Sequence, residues 1–221
     1  SSGSDYLYKK TYNVPNWSKG STFMRYTVPD NNKLTAGNYK FLVVGQEASD
    51  SYTITTPTID GTKIEDMIAK VSTPGMESEI FAGTQSVTVS SEGVRVNLQM
   101  TRKVAGVLGY FKNVPAQING TNTSVLLING IGATPTGKTY KIFDADLSNQ
   151  TVTAEGVYAG NDLSAQGVIK LDNSQLYGKF LLPVGTVTMT LGLYDADGNT
   201  LKTWAVLDGG SPTLNIIANH F

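Results

Sequence analysis

The stretch "TVTMTLGLYDADGNTLKTWAV" (186–206) decides the fold class. Apolar and polar residues alternate along 186–194 and again along 200–206, and this period of two is typical of half-buried β-strands. The "DADGN" between the two runs contains an Asp-Gly pair, which is the strongest short signal of a β-hairpin when alternating runs flank it. The stretch therefore predicts two antiparallel strands joined by a tight turn.

The same period predicts a second hairpin in the first half of the chain. "TQSVTVS" (84–90) and "VRVNLQM" (94–100) flank the turn residues "SEG". The apolar residues of the second run fall on one face of a strand and are Val94, Val96, Leu98 and Met100. Further strand patterns occur at 22–28, 39–44, 51–55, 123–129, 138–143, 151–158, 167–171 and 178–183. The chain is therefore predicted to be all-β.

One stretch, "TKIEDMIAKV" (62–71), has the period of an amphipathic α-helix. Its apolar residues follow the i, i+3, i+4, i+7 spacing and are Ile64, Met67, Ile68 and Val71. We predict one short helix here, in the first domain.

The segment "VRVNLQMTRKVAGVLGYF" (94–111) is too long for one ordinary strand of about 5–6 residues. Arg102 and Lys103 interrupt its alternation, so we place the end of one strand before them and the start of another after them. This predicts two β-sandwich domains, 1–103 and 104–221, with almost no linker. A flexible linker would be rich in Gly, Ser or Pro, and no such tract occurs here.

The composition excludes several classes of function. The net charge is -1, whereas a nucleic-acid-binding domain carries a basic stripe. The chain has no cysteine, which excludes disulfides, thiolate catalysis and cysteine-bound metal. No apolar run reaches the 18 or more residues of a membrane helix, and no leader is visible. The start, "SSGSDYLYKK", is typical of a trimmed or processed end.

No catalytic or cofactor-binding constellation emerges, so we predict a non-enzymatic protein without cofactor or metal. His220 is the single histidine, and a multi-histidine metal site is therefore impossible. The acidic residues of "FDADL" (143–147) and "YDADGN" (194–199) lack the spacing of an EF-hand and are interpreted as turn residues, with an opportunistic cation site as the alternative. "GIGATPTGKT" (130–139) has the letters of a phosphate-binding loop, but the residues after it have no helical period, and we interpret it as a loop between strands.

The two tryptophans, Trp17 and Trp204, could form a stacking platform for sugars. The strand context of Trp204 favours a place in the core, whereas the polar surroundings of Trp17 favour exposure.

Several stretches together resemble the fimbrillins, the pilin and anchor subunits of the fimbriae of Bacteroidetes. The resemblance rests on the order and spacing of these stretches along most of the chain. They are "LTAGNYKFLVVGQE" (34–47), "EIFAGTQSVTV" (79–89), "VRVNLQMTRKVAGVLGYFKNVP" (94–115), "LLPVGTVTMTLGLYDADGNTLKT" (181–203) and "LNIIANHF" (214–221).

The resemblance implies two tandem Greek-key, transthyretin-like β-sandwiches and a structural role in a pilus. It implies an exported lipoprotein on the cell surface, in the fimbrium or at the outer membrane, held by an N-terminal lipid anchor that this sequence does not contain. The expected partners are other fimbrial subunits, joined by donor-strand addition, and host or bacterial surface receptors for adhesion. Shaft, anchor and tip roles stay open.

The resemblance also suggests site residues. The last strand supplies candidates for strand exchange between subunits, namely Leu214, Ile216, Ala218 and Phe221. Arg25 and Lys10 are candidate positions for proteolytic processing, although Arg25 lies inside a strand pattern. Residues 212–221 either close their own domain, which we favour, or complete a neighbouring subunit. The alternative function is a glycan-binding lipoprotein module of an outer-membrane nutrient-uptake system.

Overall fold

The chain forms antiparallel β-sheets linked by turns and two short 3-10 segments, as the all-β prediction requires. The computed structural model describes residues 6–14, 17–18, 20–47, 51–72, 77–112, 115–123, 125–129, 138–139, 153–154, 169–170, 174–183, 185–188 and 190–220.

The strands fall into seven sheets within these ranges. Those before residue 113 are β1 (Gly37–Gln46), β2 (Tyr52–Ile54), β3 (Ala69–Val71), β4 (Ile80–Val89), β5 (Thr101–Arg102) and β6 (Ala105–Lys112). The later ones are β7 (Gln117–Ile118), β8 (Thr121–Asn122), β9 (Val125–Asn129), β10 (Lys138–Thr139), β11 (Thr153–Ala154), β12 (Ile169–Lys170), β13 (Ser174–Leu181), β14 (Gly185–Val187), β15 (Thr190–Tyr194), β16 (Thr200–Ala205) and β17 (Leu214–Ile216). The 3-10 segments are Asp30–Asn32 and Ile64–Asp66.

The longest ladder joins β1 to β4. All ten residues of β1 pair with β4 in one antiparallel register, from Gly37 opposite Val89 to Gln46 opposite Ile80. On its other side, β4 pairs with β5 only at Phe81 and Ala82. Side chains on the two faces of this ladder alternate, and the buried ones at its β5 end, Ile80 and Ala82, enter the core.

The predicted hairpin at 186–206 is confirmed for the residues nearest the turn, which form β15 and β16. β15 and β16 pair antiparallel, with a register shift between Leu193 and Tyr194. In the turn, the Asp195 carboxylate accepts hydrogen bonds from the backbone N–H groups of Asp197 (3.0 Å) and Asn199 (2.8 Å) and from the Asn199 side chain (2.9 Å). These bonds, led by the one from the Asn199 side chain, hold the pKa of the Asp195 carboxyl below its ordinary value. The residues before β15 instead form β14, which pairs with β17.

β16 is the edge strand of the four-stranded sheet β12-β9-β15-β16. Five of its six residues are exposed, so both of its faces meet solvent. Trp204 is among the exposed residues, which contradicts the expected place in the core. Lys202 lies opposite the fully buried Leu193, and the two side chains share a face.

The predicted helix at 62–71 is wrong. A 3-10 segment of three residues, Ile64–Asp66, takes the place of its first half, and the end of the stretch forms β3, which pairs with β2. Backbone groups at the start of the stretch are also bonded elsewhere: the Thr62 carbonyl accepts from Tyr8 N–H (2.8 Å), and Ile64 N–H donates to Tyr6 (3.0 Å). A helix this short is marginal in isolation, and these distant partners stabilise the extended form.

Two predicted strands do not join a ladder. Residues 23–29 are outside every ladder of the described chain, and Phe23 is 68% exposed. The turn "SEG" forms as predicted, with Gly93 N–H donating to the Ser90 carbonyl (3.1 Å), but 94–100 do not pair with β4 as the second arm of the hairpin. A strand pattern gives the faces of a strand but no partner, and a partner is what these two segments lack among the described residues.

The core is centred on the middle of the chain. Lys103, Val104, Ala105 and Gly106 are all buried. Lys103 N–H donates to the Ile80 carbonyl (2.8 Å), and the rest of this passage is bonded to the end of the chain and to β13. Burial lowers the pKa of the Lys103 ammonium.

Removing the side chain of Ile80 should test whether this passage is the centre of stability. Ile80→Ala leaves a cavity where the side chain is buried, and we expect a loss of about 2–5 kcal/mol in the free energy of unfolding, measured with urea. The matched control is Ile59→Ala, which removes the same atoms from an exposed site and should change the free energy by less than about 0.5 kcal/mol. Equal losses for the two variants would contradict the placement of the core.

Candidate assembly site

The β1–β4 ladder has two outer edges with few ladder partners. Among the described residues, β1 pairs with β4 alone, so its other side carries no strand along Gly37–Gln46. On β4, the side away from β1 is paired only at Phe81 and Ala82, which leaves the edge Gly83–Val89. An edge of this kind presents a row of N–H and C=O groups with which another extended chain can pair.

An N-terminal segment, 6–12, lies beside β1 and is fixed mainly to the loop before β3. Leu7 forms a β-bridge with Lys63, and the Tyr8 carbonyl accepts a bond from Asp60 N–H (3.0 Å). Lys9 forms an ion pair with Asp60. The segment reaches β1 itself through the Tyr6 ring, whose centroid is 6.0 Å from the ammonium of Lys40.

The end of this segment is bonded to the first 3-10 segment. Lys10 donates to the Asn32 side chain (2.8 Å), and the Tyr12 hydroxyl donates to the Asn32 carbonyl (2.7 Å). Burial, followed by the negative charge that Tyr26 and Tyr39 would carry, raises the pKa of Tyr12. Tyr12 therefore stays protonated at neutral pH and keeps its donor role. These bonds fix residues 6–12, which we call the strap, to the loop before β3 and to the first 3-10 segment.

The two processing candidates differ in their surroundings. Arg25 is exposed, lies in the extended stretch 23–29 outside the ladders, and has no hydrogen-bonded or ionic partner among the described residues. Lys10 is bonded to Asn32 and also lies 5.8 Å from the centroid of the Tyr12 ring. A protease must bind several residues in extended form, so the structure presents Arg25 better than Lys10. Whether either bond is cut stays a prediction.

The strand-exchange candidates near the end of the chain are paired within the chain. β17 pairs with β14, with Leu214 opposite Val187 and Ile216 opposite Gly185, and Ile216 is buried. The following residues return to the core passage: Asn219 N–H donates to the Val104 carbonyl (2.9 Å), and the His220 carbonyl accepts from Gly106 N–H (2.7 Å). Ala218 is half-buried. Phe221 lies outside the described residues, and an exchange role for these four residues stays a prediction.

Among the described residues, the other sequence candidates do not form a site. Within the described ranges, no group of three or more His, Asp or Glu side chains could hold a metal ion. Asp144, Asp146 and most of 130–139 lie outside those ranges. Lys138 and Thr139, the end of the phosphate-loop pattern, form β10 and pair with β11 rather than beginning a helix.

One interacting group was not visible in the sequence. Arg102 donates from Nε to the Glu79 carboxylate (2.8 Å), and its guanidinium lies 5.7 Å from the ring centroid of Phe81 and 5.9 Å from that of Phe180. Phe180 is in β13, which pairs with β6. Arg102 therefore links the β4–β5 ladder to the β6–β13 ladder, and only the fold brings its four members together.

A comparison with protein families matches residues 1–202 to the family described as fimbrillin-A associated anchor proteins Mfa1 and Mfa2. The chain belongs to this family. The match covers most of the chain and confirms the resemblance to the Bacteroidetes fimbrillins. No curated protein and no solved structure gives a significant match.

Membership makes the chain a fimbria-associated protein of the anchor type, whose family is structural rather than enzymatic and associates with other fimbrial subunits. In the part of the chain that the structure describes, no helix is long and apolar enough to cross a membrane.

The accessibility of Arg25 in this anchor-family protein can be measured by limited proteolysis. An arginine-specific protease should cut after Arg25 before it cuts after Arg102, because the Arg102 side chain is ion-paired and partly buried. Mass spectrometry of the early fragments gives the order, and Arg25→Gln should remove the cut after residue 25 alone. Early cleavage after Arg102 would show that the exposed stretch 23–29 is not the better substrate.

Proposed function

We propose that the protein is a fimbrial anchor or tip subunit that joins other subunits by β-strand addition at the β1–β4 sheet and so supports cell adhesion. The observation that carries the proposal is the open side of β1, where ten consecutive residues have a ladder partner on one side only among the described residues. Family membership supplies the fimbrial context. A strand from a neighbouring subunit would complete the ladder.

Side chains buried beneath an added strand would contribute free energy to such a joint. Each apolar side chain that becomes fully buried contributes about 1.5–3 kcal/mol, so four or five of them contribute about 6–15 kcal/mol before the cost of ordering the added strand. Backbone hydrogen bonds then fix the register, and alternate side chains give specificity.

Processing after Arg25 would release the strap, 6–12, from the sheet. The strap is bonded to Asp60, Thr62 and Asn32, and its Tyr6 ring contacts β1. Cutting the chain downstream leaves these bonds as the remaining attachment, and their exposed polar pairs are individually weak. Loss of the strap would then widen access to β1.

The remaining parts of the proposal concern the arrangement of the whole protein. We propose two tandem domains, 1–103 and 104–221, and a lipid anchor upstream that holds the protein at the outer membrane. The bonds of 214–220 to β14 and to the core passage support closure within the chain. Exchange of Leu214, Ile216, Ala218 and Phe221 into a neighbour would require those bonds to break.

Oligomers resistant to sodium dodecyl sulfate test this role on native cells. We expect a ladder of gel bands from such oligomers containing the wild-type protein. This ladder of bands should be lost in Arg25→Gln if processing is the trigger. The matched control is Arg95→Gln, which removes the same charge from another exposed arginine and should leave the ladder intact.

Deleting the protein gives the broader test, because cells without an anchor should shed fimbriae into the medium. An unchanged ladder in Arg25→Gln would remove the processing step from the proposal. Fimbriae that stay on cells lacking the protein would contradict the anchor role itself.

Glycan binding is a second candidate function, supported by the exposed aromatic residues near the N-terminus. Trp17 is 45% exposed, and its indole N–H donates to the Ser21 carbonyl (2.9 Å), which fixes the ring at the surface. Phe23 follows closely in the sequence and is more exposed still. Rigid, exposed rings of this kind can stack against sugars.

Calorimetric titration with soluble host and bacterial polysaccharides tests this candidate. Trp17→Ala should abolish binding if the ring is the platform, and Trp204→Ala, which removes an exposed tryptophan from the edge strand β16, should not. Absence of binding by the wild-type protein, or equal losses in both variants, would eliminate the Trp17 platform.

A further inference from the structure

Two fixed points define a single register between β4 and the segment after it. At one end, Phe81 lies opposite Arg102 and Ala82 opposite Thr101. At the other end, the turn is closed by a bond from Gly93 N–H to the Ser90 carbonyl (3.1 Å), and the Ser90 hydroxyl donates to the Gly93 carbonyl (2.9 Å). Gly93 has a φ of 91°, which suits glycine in a tight turn.

The stretches between these points, 83–89 and 94–100, have equal length, so they can pair along their whole extent without a bulge. This register would place Val87 opposite Val96 and Val89 opposite Val94 on one face. On the other face it would place Ser86 opposite Asn97 and Thr88 opposite Arg95. The faces match in polarity, as in an ordinary hairpin.

The structure nevertheless leaves 94–100, which we call the arm, unpaired. No ladder includes the arm among the described residues, and Val94 and Leu98 are 49% and 38% exposed. Exposure of alternating apolar residues beside an open strand edge is unfavourable, because pairing would bury them and satisfy backbone groups on both sides.

Two glycines leave room for the end of the arm on the face of the sheet. A Cβ atom at Gly83 would overlap the Gln99 carbonyl oxygen, and a Cβ atom at Gly45 would lie 3.6 Å from the Met100 sulfur. Gly83 lies opposite Val43, two residues from Gly45, so both glycines are on the same face of the β1–β4 ladder. The end of the arm therefore rests on the face of the sheet, in a slot that exists because these residues lack side chains.

We propose that the arm adopts two alternative positions. In one position its end rests in the slot at Gly45 and Gly83. In the other position the arm pairs with β4 along Gly83–Val89. The first position leaves this edge open and the second covers it. The equilibrium would therefore regulate strand addition at the β4 edge, a consequence that rests on the proposed function. The two positions themselves do not depend on a partner subunit.

Engineered disulfides test the paired position directly, because the chain has no cysteine of its own. Gln85 and Leu98 would be opposite each other in a pair without mutual hydrogen bonds, where Cα atoms are only about 4.5 Å apart. Gln85→Cys with Leu98→Cys should therefore cross-link under mild oxidation. The matched control is Gln85→Cys with Val94→Cys, which is four residues out of register and should not cross-link.

Two glycine variants in the cross-linking background test the slot. Gly83→Ala should make the cross-link form several-fold faster, because the new Cβ atom excludes the Gln99 carbonyl from its resting place. Gly45→Ala should leave the rate nearly unchanged, since its Cβ atom would make an ordinary contact with Met100.

Hydrogen exchange of the backbone amides is an independent test that uses the wild-type protein, so it does not depend on whether a variant folds. Amides of the arm should exchange faster than those of β1 and slower than those of 23–29. A missing cross-link, or equal cross-linking in the out-of-register control, would overturn the paired position. Protection of the arm equal to that of β1 would overturn the resting position. Either result concerns the arm only and leaves the fimbrial role to the tests on cells.

Discussion

The structure depends on the burial of a backbone passage, Lys103 to Gly106, in the middle of the chain. A buried backbone must find a partner for each N–H and C=O group, since an unpaired one costs about as much as a lost hydrogen bond. Here the partners come from distant places: Ile80 in β4, Asn219 and His220 near the end of the chain, and Leu181 of β13 opposite Ala105. This requirement explains why β4, the end of the chain and β13 converge on one point.

The same passage carries a charged side chain into the core. Lys103 is only 4% exposed, and desolvation disfavours its ammonium form, which is why its pKa falls below the ordinary value of 10.5. A lysine with a depressed pKa in the folded state costs stability at neutral pH, and this cost disappears as the pH rises toward the unfolded value. The neighbouring Arg102 avoids part of such a cost, because it remains partly exposed and forms an ion pair with Glu79.

Local patterns predicted strands with clear alternation and a hairpin with strong turn chemistry, although they did not give the distant pairing of β1 with β4. β1, β4 and the β15–β16 hairpin follow from alternation and from the Asp-Gly turn. The helix at 62–71 failed because the N-terminal segment 6–8 and β2 bond its backbone, and no periodicity contains that information. The arm failed as a strand for the opposite reason, since its pattern is correct but its end rests on two glycines.

Of the candidate site, the family pattern gave Arg25 and the last strand, whereas open edges depend on which strands pair and could not be read from residue types.

Family membership and the fold together direct attention to the β1–β4 sheet rather than to a cavity. The family gives a structural role in fimbriae, and the long ladder gives a surface suited to an extended partner. The strap, the arm and the exposed stretch around Arg25 all border this sheet or its connections.

The edge strand β16 shows how a charged side chain can discourage strand capture at the margin of a sheet. Among the described residues β16 pairs only with β15, and Lys202 stands in the middle of the strand, above the side of the sheet that buries Leu193. An incoming strand would have to dehydrate that ammonium or bring a carboxylate to meet it, and a run of purely aliphatic residues can do neither cheaply. A single lysine thus disfavours nonspecific strand pairing between two molecules at this edge.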